Sequence, residues 1–187
     1  MKSPETKKNR RSFLLLLVAF ILPVVLAKLA LEQQWFNYGV TNQGELVAGE
    51  LTLENTGITL PEKQGKQWLM LFVMPQNCYS NCDELLSGVN NTYIALGKEM
   101  PRVTPVGLFQ QAIAPKSLEL VRQQDWQFTE LKERTKQQLE QNRIYIVDPL
   151  GNIVVSHVIP EKTEAIPAFG KAVVADFKKL LKYSRIG

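Results

Sequence analysis

Cys78 and Cys82 are the chain's two cysteines, and they stand four residues apart in Pro75-Gln76-Asn77-Cys78-Tyr79-Ser80-Asn81-Cys82. Immediately before them runs the apolar stretch Trp68-Leu69-Met70-Leu71-Phe72-Val73-Met74. A strand that delivers a CxxxC pair to the start of a helix is suited to two kinds of chemistry, thiol–disulfide exchange and soft-metal binding. The thiolate is both the nucleophile toward disulfides and the metal ligand, and a helix N-terminus lowers a thiol's pKa. Two helical positions four apart have Cα atoms roughly 6 Å from each other, within disulfide reach, so the pair can open and close without large movement. A permanent bridge is the third use. It would close so short a loop that it removed little unfolded-state entropy and stabilised the fold little. Cys78 is nearer the turn and takes the attacking role, leaving Cys82 as the resolving thiol.

The elements that must position this pair are readable around it. The run 68–74 is a strand, and the helix 82–96 carries Leu85, Val89, Tyr93 and Leu96 at one-face spacing, with Asp83 and Glu84 in its first turn where the dipole favours acids. Val103 to Phe109 reads as a neighbouring strand, with Pro105 expected to bulge it or confine it to an edge. Pro115–Gln124 and Thr129–Gln141 read as helices. Arg143–Val147 and Ile153–His157 are β-branched runs around Asp148-Pro149-Leu150-Gly151-Asn152, a hairpin in which residue 157 should face residue 143. A last helix places Phe169, Val173, Phe177 and Leu180 on one face. Strand, helix, strand, helices, hairpin, helix is the order of a thioredoxin-like α/β sandwich. Asp148 reads as a turn former, and Trp68, Trp126 and Phe128 as packing residues.

The start of the chain is of a different kind. Lys7, Lys8, Arg10 and Arg11 precede an apolar stretch from Phe13 to Leu31, interrupted by Pro23 and Lys28. About twenty apolar residues cross a bilayer, and Lys28 can snorkel to the interface. The basic cluster stays in the cytoplasm and puts everything after residue 31 on the far side. Val25-Leu26-Ala27 offers a cleavage site, so the segment is an anchor or a signal peptide. The expected organisation is a cytoplasmic tail 1–11, an anchor 12–31, a juxtamembrane linker with a small hairpin 32–67, and a thioredoxin-like domain 68–187.

The charge of +4 belongs to the beginning of the chain. Residues 1–11 hold five positive charges and one negative, and Lys28 adds one, leaving −1 for the remainder. Such a domain has no electrostatic footprint for nucleic acid. Walker, HExxH, GxSxG and multi-histidine patterns are missing, so phosphoryl transfer, zinc hydrolysis and serine chemistry have no support.

Over residues 60–183 the chain resembles thioredoxin-fold proteins of the Sco (SenC-like) type, through the strand leading into Cys78-Tyr79-Ser80-Asn81-Cys82 and through Ile144-Tyr145-Ile146-Val147-Asp148-Pro149-Leu150-Gly151-Asn152. Gly39-Val40-Thr41-Asn42-Gln43-Gly44-Glu45-Leu46 is similar to the juxtamembrane segment of small bacterial membrane proteins encoded among oxidase assembly factors. The resemblance implies a factor of cytochrome c oxidase biogenesis, tethered to the bacterial inner membrane with its domain in the periplasm. Its partner would be a respiratory oxidase subunit or assembly factor, and Cu(I) its cargo. Sco-type proteins pair their two thiolates with a histidine just before the strand that is Ile144–Val147 here, and thioredoxins carry a proline there. This chain has Leu139-Glu140-Gln141-Asn142 instead. Its single histidine, His157, is the candidate third copper ligand beside Cys78 and Cys82, reached from the neighbouring strand. Two thiolates alone also suit Cu(I).

Overall fold

The computed structural model describes residues 4–32, 42–47, 49, 51–59, 67–76, 82–110, 119 and 125–184. The chain divides into two compact units, Met1–Thr41 and Asn42–Gly187. The first contains helix α1, Pro4–Glu32, with Pro23 inside it. Its stretch Arg10–Ala30 is long and apolar enough to cross a membrane. At 1.5 Å per residue it spans about 31 Å, the thickness of a bilayer's hydrocarbon core.

In the second unit a six-stranded mixed sheet has the order β1-β6-β5-β2-β3-β4. Strand β1 is Glu45–Leu46, β2 Trp68–Val73, β3 Val103–Phe109, β4 Gln127–Glu130, β5 Arg143–Val147 and β6 Ile153–Val158. Helices among the described residues include α2 (Leu53–Thr56), α3 (Cys82–Ile94), α4 (Glu133–Lys136) and α5 (Ile166–Tyr183). Every residue of β2 is buried because the strand lies in the middle of the sheet with both faces covered. Met70 and Phe72 face α3 and α5, meeting Leu86, Val89, Tyr93, Val173 and Phe177. Leu69, Leu71 and Val73 face the other layer, with Ile58, Leu131, Leu139 and Tyr145. Each large side chain so buried contributes about 1.5–3 kcal/mol, so this run sets where the core lies and where β2 ends.

Several expectations change. Thr129–Gln141 is helical only over the one turn of α4, and Thr129 and Glu130 belong to β4, parallel to β3. Pro105 lies within β3 without displacing it, because β4 pairs only from Val106 onward and leaves that side free. Glu45–Leu46 pairs with Val155–Ser156 of β6, and Thr52 bridges to Asn152, so the two alternating pieces of the 32–67 segment both attach to the β5–β6 hairpin. The apolar stripe of α5 is centred on Val173, Phe177 and Leu181, with Phe169 and Leu180 at its margins. Pro115–Gln124, apart from Glu119, lies outside the described residues.

Candidate functional site

The buried strand β2 runs out at Val73, and α3 opens at Cys82, with Asp83 and Glu84 in its first turn. Cys82 is therefore the first residue of the helix that follows the central strand. Cys78 lies outside the described residues. The start of the intervening stretch is tied to the turn before β5. Gln76 N–H donates to Gln141 Oε1 at 3.0 Å, and Asn142 N–H donates to the Val73 carbonyl at 2.9 Å. Across the site, Thr163 Oγ1 donates to Glu84 Oε2 at 3.1 Å, holding the first turn of α3 to the loop before α5.

Asn142 occupies the turn where a thioredoxin has its proline, and it does so at φ 56°. Asparagine tolerates this left-handed conformation because its short polar side chain bonds locally. Here Nδ2 donates to the Ile159 carbonyl at 3.0 Å, and the Asn142 carbonyl accepts from Ile159 N–H at 2.9 Å. One residue thus joins the end of β2 to the end of β6. Sequence reading sought a proline or histidine at this place and passed over the asparagine, whose own signal is its tolerance of positive φ.

His157 faces Ile144, one residue beyond the expected partner at 143, because β5 and β6 shift register between Ile146 and Val147. The extra residue is a bulge on β6 at Val154, which also turns Ile153 and Val155 to opposite faces. The corrected register keeps His157 at the sheet end where β2 finishes, since Phe72 faces Ile144. Two strand spacings, about 10 Å, separate β6 from β2. The ring is buried against α5, with Nε2 3.1 Å from Asp176 Oδ2 but off the hydrogen-bond line, and stacked edge-on to Phe169. Burial pushes its pKa below the ordinary 6.5, and the Asp176 carboxylate only partly offsets this.

Asp176, which sequence reading missed, is 1% exposed and serves three groups. Besides His157, its Oδ1 accepts the Gln43 N–H and its Oδ2 the Gly44 N–H, each at 2.9 Å. A carboxylate on the same helix face as Val173 and Leu180 was the available signal, since an acid inside an apolar stripe needs buried donors. Lys179 Nζ donates to Asn42 Oδ1 at 3.1 Å, and Arg143 pairs with Glu45 at 2.6 Å. Residues 42–46 are therefore strapped to the sheet edge. Among the described residues no three His, Cys, Asp or Glu side chains gather as a metal site.

A parallel β2–β3 pair, an antiparallel β5–β6 hairpin, helices packed on the sheet and a cysteine-bearing helix after the central strand define a thioredoxin-like protein. The chain belongs to the family described as "Transmembrane-like, thioredoxin-like, C-terminal domain", which it matches over residues 68–184. Similar solved structures include apo Sco1 protein from Thermus thermophilus, 16% identical, covering 75% of this chain and 97% of that one with a TM-score of 0.44. Copper-bound ScoI from Arabidopsis thaliana is 13% identical, with 62% and 86% covered and a TM-score of 0.43. A thiol:disulfide interchange protein from Bacteroides sp. is 14% identical, with 64% and 76% covered and a TM-score of 0.41. No curated protein sequence matches the chain.

Proposed function

We propose that this protein is a membrane-tethered thiol–disulfide exchange factor, held to the bacterial inner membrane by α1 with its thioredoxin-like domain in the periplasm. It works in the biogenesis of a respiratory oxidase, as the Sco-type motifs around Cys78 and Cys82 and around Asp148 suggest. The observation that carries the reading is the junction of the fully buried strand β2 with a helix opening at Cys82. This is where a thioredoxin-like fold exposes its reactive pair, and a helix N-terminus favours thiolate.

In the proposed cycle the Cys78 thiolate attacks a partner disulfide. The partner's S–S bond breaks, a mixed disulfide forms, and the departing partner sulfur takes a proton. The Cys82 thiolate then attacks the Cys78 sulfur, releases the second partner thiol and leaves a Cys78–Cys82 disulfide. The partner gains two electrons and this protein loses two, which an exported dithiol donor must restore. Cys82→Ala should trap adducts through Cys78 that dithiothreitol releases. Cells that yield no such adduct would rule the cycle out.

A second reading keeps the two thiolates and makes them a Cu(I) carrier without turnover, since sulfur suits this soft ion. The position of His157 at the β2 end of the sheet favours it. An imidazole can take a metal on one nitrogen while the other keeps a carboxylate contact such as that of Nε2 with Asp176. Titration of the reduced protein with Cu(I) against a competing chelator separates the readings. Stoichiometric tight binding that weakens in His157→Gln supports the three-ligand carrier, and no binding leaves exchange. A bridge that never opens, the structural alternative, would show a potential below about −300 mV.

A further inference from the structure

Helices α3 and α5 lie side by side and run in the same direction. Each follows a strand, and β2 and β6 point the same way because both are antiparallel to β5. Two glycines set the register between the helices. A Cβ on Gly88 would fall 2.7 Å from Cγ2 of Ile166, and one on Gly170 would fall 2.8 Å from Oγ1 of Thr92. Position 88 is thus level with 166, and position 92 with 170. Over this close approach the pair leaves a trough of about 300 Å³, lined among others by Gly88, Asn91, Ala95, Pro167, Lys171 and Val174. Its floor is satisfied, since Thr92 Oγ1 donates to the Gly88 carbonyl at 2.9 Å.

Charge is sorted along this face. At the N-terminal end of the two helices stand the exposed acids Asp83, Glu84, Glu161 and Glu164, against one base, Lys162. At the C-terminal end stand exposed Lys98, Lys178 and Lys182, while Glu99 there pairs with Arg102 at 3.1 Å. Of the residues lining the trough between these ends, only Lys171 is charged. Acids at a helix N-terminus and bases at its C-terminus suit that helix's own dipole. Two such helices laid parallel and in register make a face that is negative at one end and positive at the other. A face of this kind repels a parallel copy of itself and attracts an antiparallel one, the arrangement that a two-fold axis produces.

We infer that the α3–α5 face is the contact surface of a homodimer, and that what covers the trough is a second copy of this chain related by a two-fold axis through its middle. The helical rise fixes where that axis falls. Placed level with Thr92 and Gly170, it sets Glu84 opposite Lys178 of the second copy, Glu164 opposite Lys98, and Asn91 opposite Lys171. One axis therefore pairs both charged ends and gives the central lysine a side-chain amide to meet. Two adjacent helices offer a face about 25 Å long and about 20 Å wide, so the pair buries about 1,000 Å² in total, the low end for a specific interface. The dimer is accordingly reversible. Its antiparallel sense carries the two helix starts at Cys82 to opposite ends, about 30 Å apart, so neither copy covers the other's.

A zero-length carbodiimide cross-link between carboxylates and amines tests the pairing on the unaltered full chain in detergent micelles. Within one copy Glu84 and Lys178 are about 24 Å apart along the helices, so a Glu84–Lys178 link found by mass spectrometry joins two copies. Dimers linked at other residues only, or no linked dimer at about 100 µM protein, overturn the proposal.

Charge reversal tests the symmetry. Lys178→Glu with Lys182→Glu makes both ends of the face acidic, and Glu84→Lys with Glu164→Lys in a separate chain makes both more basic. By sedimentation each variant alone should dissociate at least tenfold more readily than the unaltered protein, and an equimolar mixture of the two should recover dimers as heterodimers. Variants that dimerise unchanged would place the association elsewhere, α1 included, and overturn the surface. Weakened variants with no recovery in the mixture overturn the antiparallel pairing. The cross-link needs no substitution, so it decides the matter where a variant folds poorly.

Discussion

A Cβ placed on Gly44 would lie 2.6 Å from Nε2 of His157, and also 2.6 Å from the Ser156 carbonyl and 2.7 Å from Val155 Cγ1. The approach is this close because Gly44 N–H reaches past the β6 edge to the Asp176 carboxylate beneath it. One of the three obstructing atoms is backbone and cannot rotate away.

Gly44→Ala should therefore cost about 1–3 kcal/mol, the range for overpacking a filled site. A urea transition monitored on the purified protein reads this as a lower midpoint at unchanged slope. An unchanged midpoint would mean that the strap lifts from the edge at little cost, and the docking contacts described above would then contribute little.

The His157 ring gives the protein a pH dependence of known sign. Burial lowers its pKa in the folded state, with Asp176 partly opposing. Below about pH 6.5 the unfolded chain binds a proton that the folded ring does not. Stability should fall as pH drops through this region and toward the lower folded value. His157→Gln removes the titrating group, so its melting temperature should change less between about pH 7.5 and about pH 5.5 than that of the unaltered protein. Equal slopes would locate the acid sensitivity in other groups.

Gly107 and Phe128 face each other across β3 and β4, and a Cβ on Gly107 would fall 2.4 Å from Phe128 Cε1. The ring lies over the glycine and stacks on Trp126 at 5.9 Å between centroids; Trp126 in turn meets Tyr93 edge-on and donates to Asn90 Oδ1 at 3.0 Å. Gly107→Ala should displace the ring and loosen β4. In a double-mutant cycle Phe128→Leu should recover part of the loss, giving a coupling of about 0.5–3 kcal/mol. Additive losses would mean that the ring is not what Gly107 accommodates.

Those same residues explain what could be read from the sequence. The central run Trp68–Met74 announces itself because a strand buried on both faces is apolar throughout. The hairpin and the two amphipathic helices, α3 and α5, carry local patterns as well. Strand β4 does not, being three half-buried residues and one exposed, held by Gly107 of β3 and, through Trp126, by Tyr93 and Asn90 from other parts of the chain. The strap is equally silent, since its partners on β6 and α5 are more than a hundred residues away. The 157–144 register depends on one bulged residue, which period-two counting cannot foresee. At the site, spacing alone singles out Cys78 and Cys82, of which the described residues include only Cys82, at the start of α3, while Asp176 and Asn142 matter through hydrogen bonds that only the folded chain makes.

Asn142 offers a graded test of the turn that joins β2 to β6. Its left-handed backbone costs a residue with a Cβ roughly 1–2 kcal/mol, which asparagine offsets through the bond from Nδ2 to the Ile159 carbonyl. Asn142→Gly loses that bond but relieves the backbone, so its net effect should be small. Asn142→Ala loses the bond and keeps the strain, for about 1–2 kcal/mol in all. Asn142→Pro, the residue a thioredoxin has in this turn, should be the worst of the three. A proline ring fixes φ near −65°, opposite in sign to the 56° observed, and removes the N–H that the Val73 carbonyl accepts. Denaturation midpoints should follow the order glycine, alanine, proline from most to least stable. Alanine above glycine would show that backbone strain is not what this asparagine relieves, and a proline variant as stable as the parent would mean that the turn adopts the thioredoxin conformation in solution.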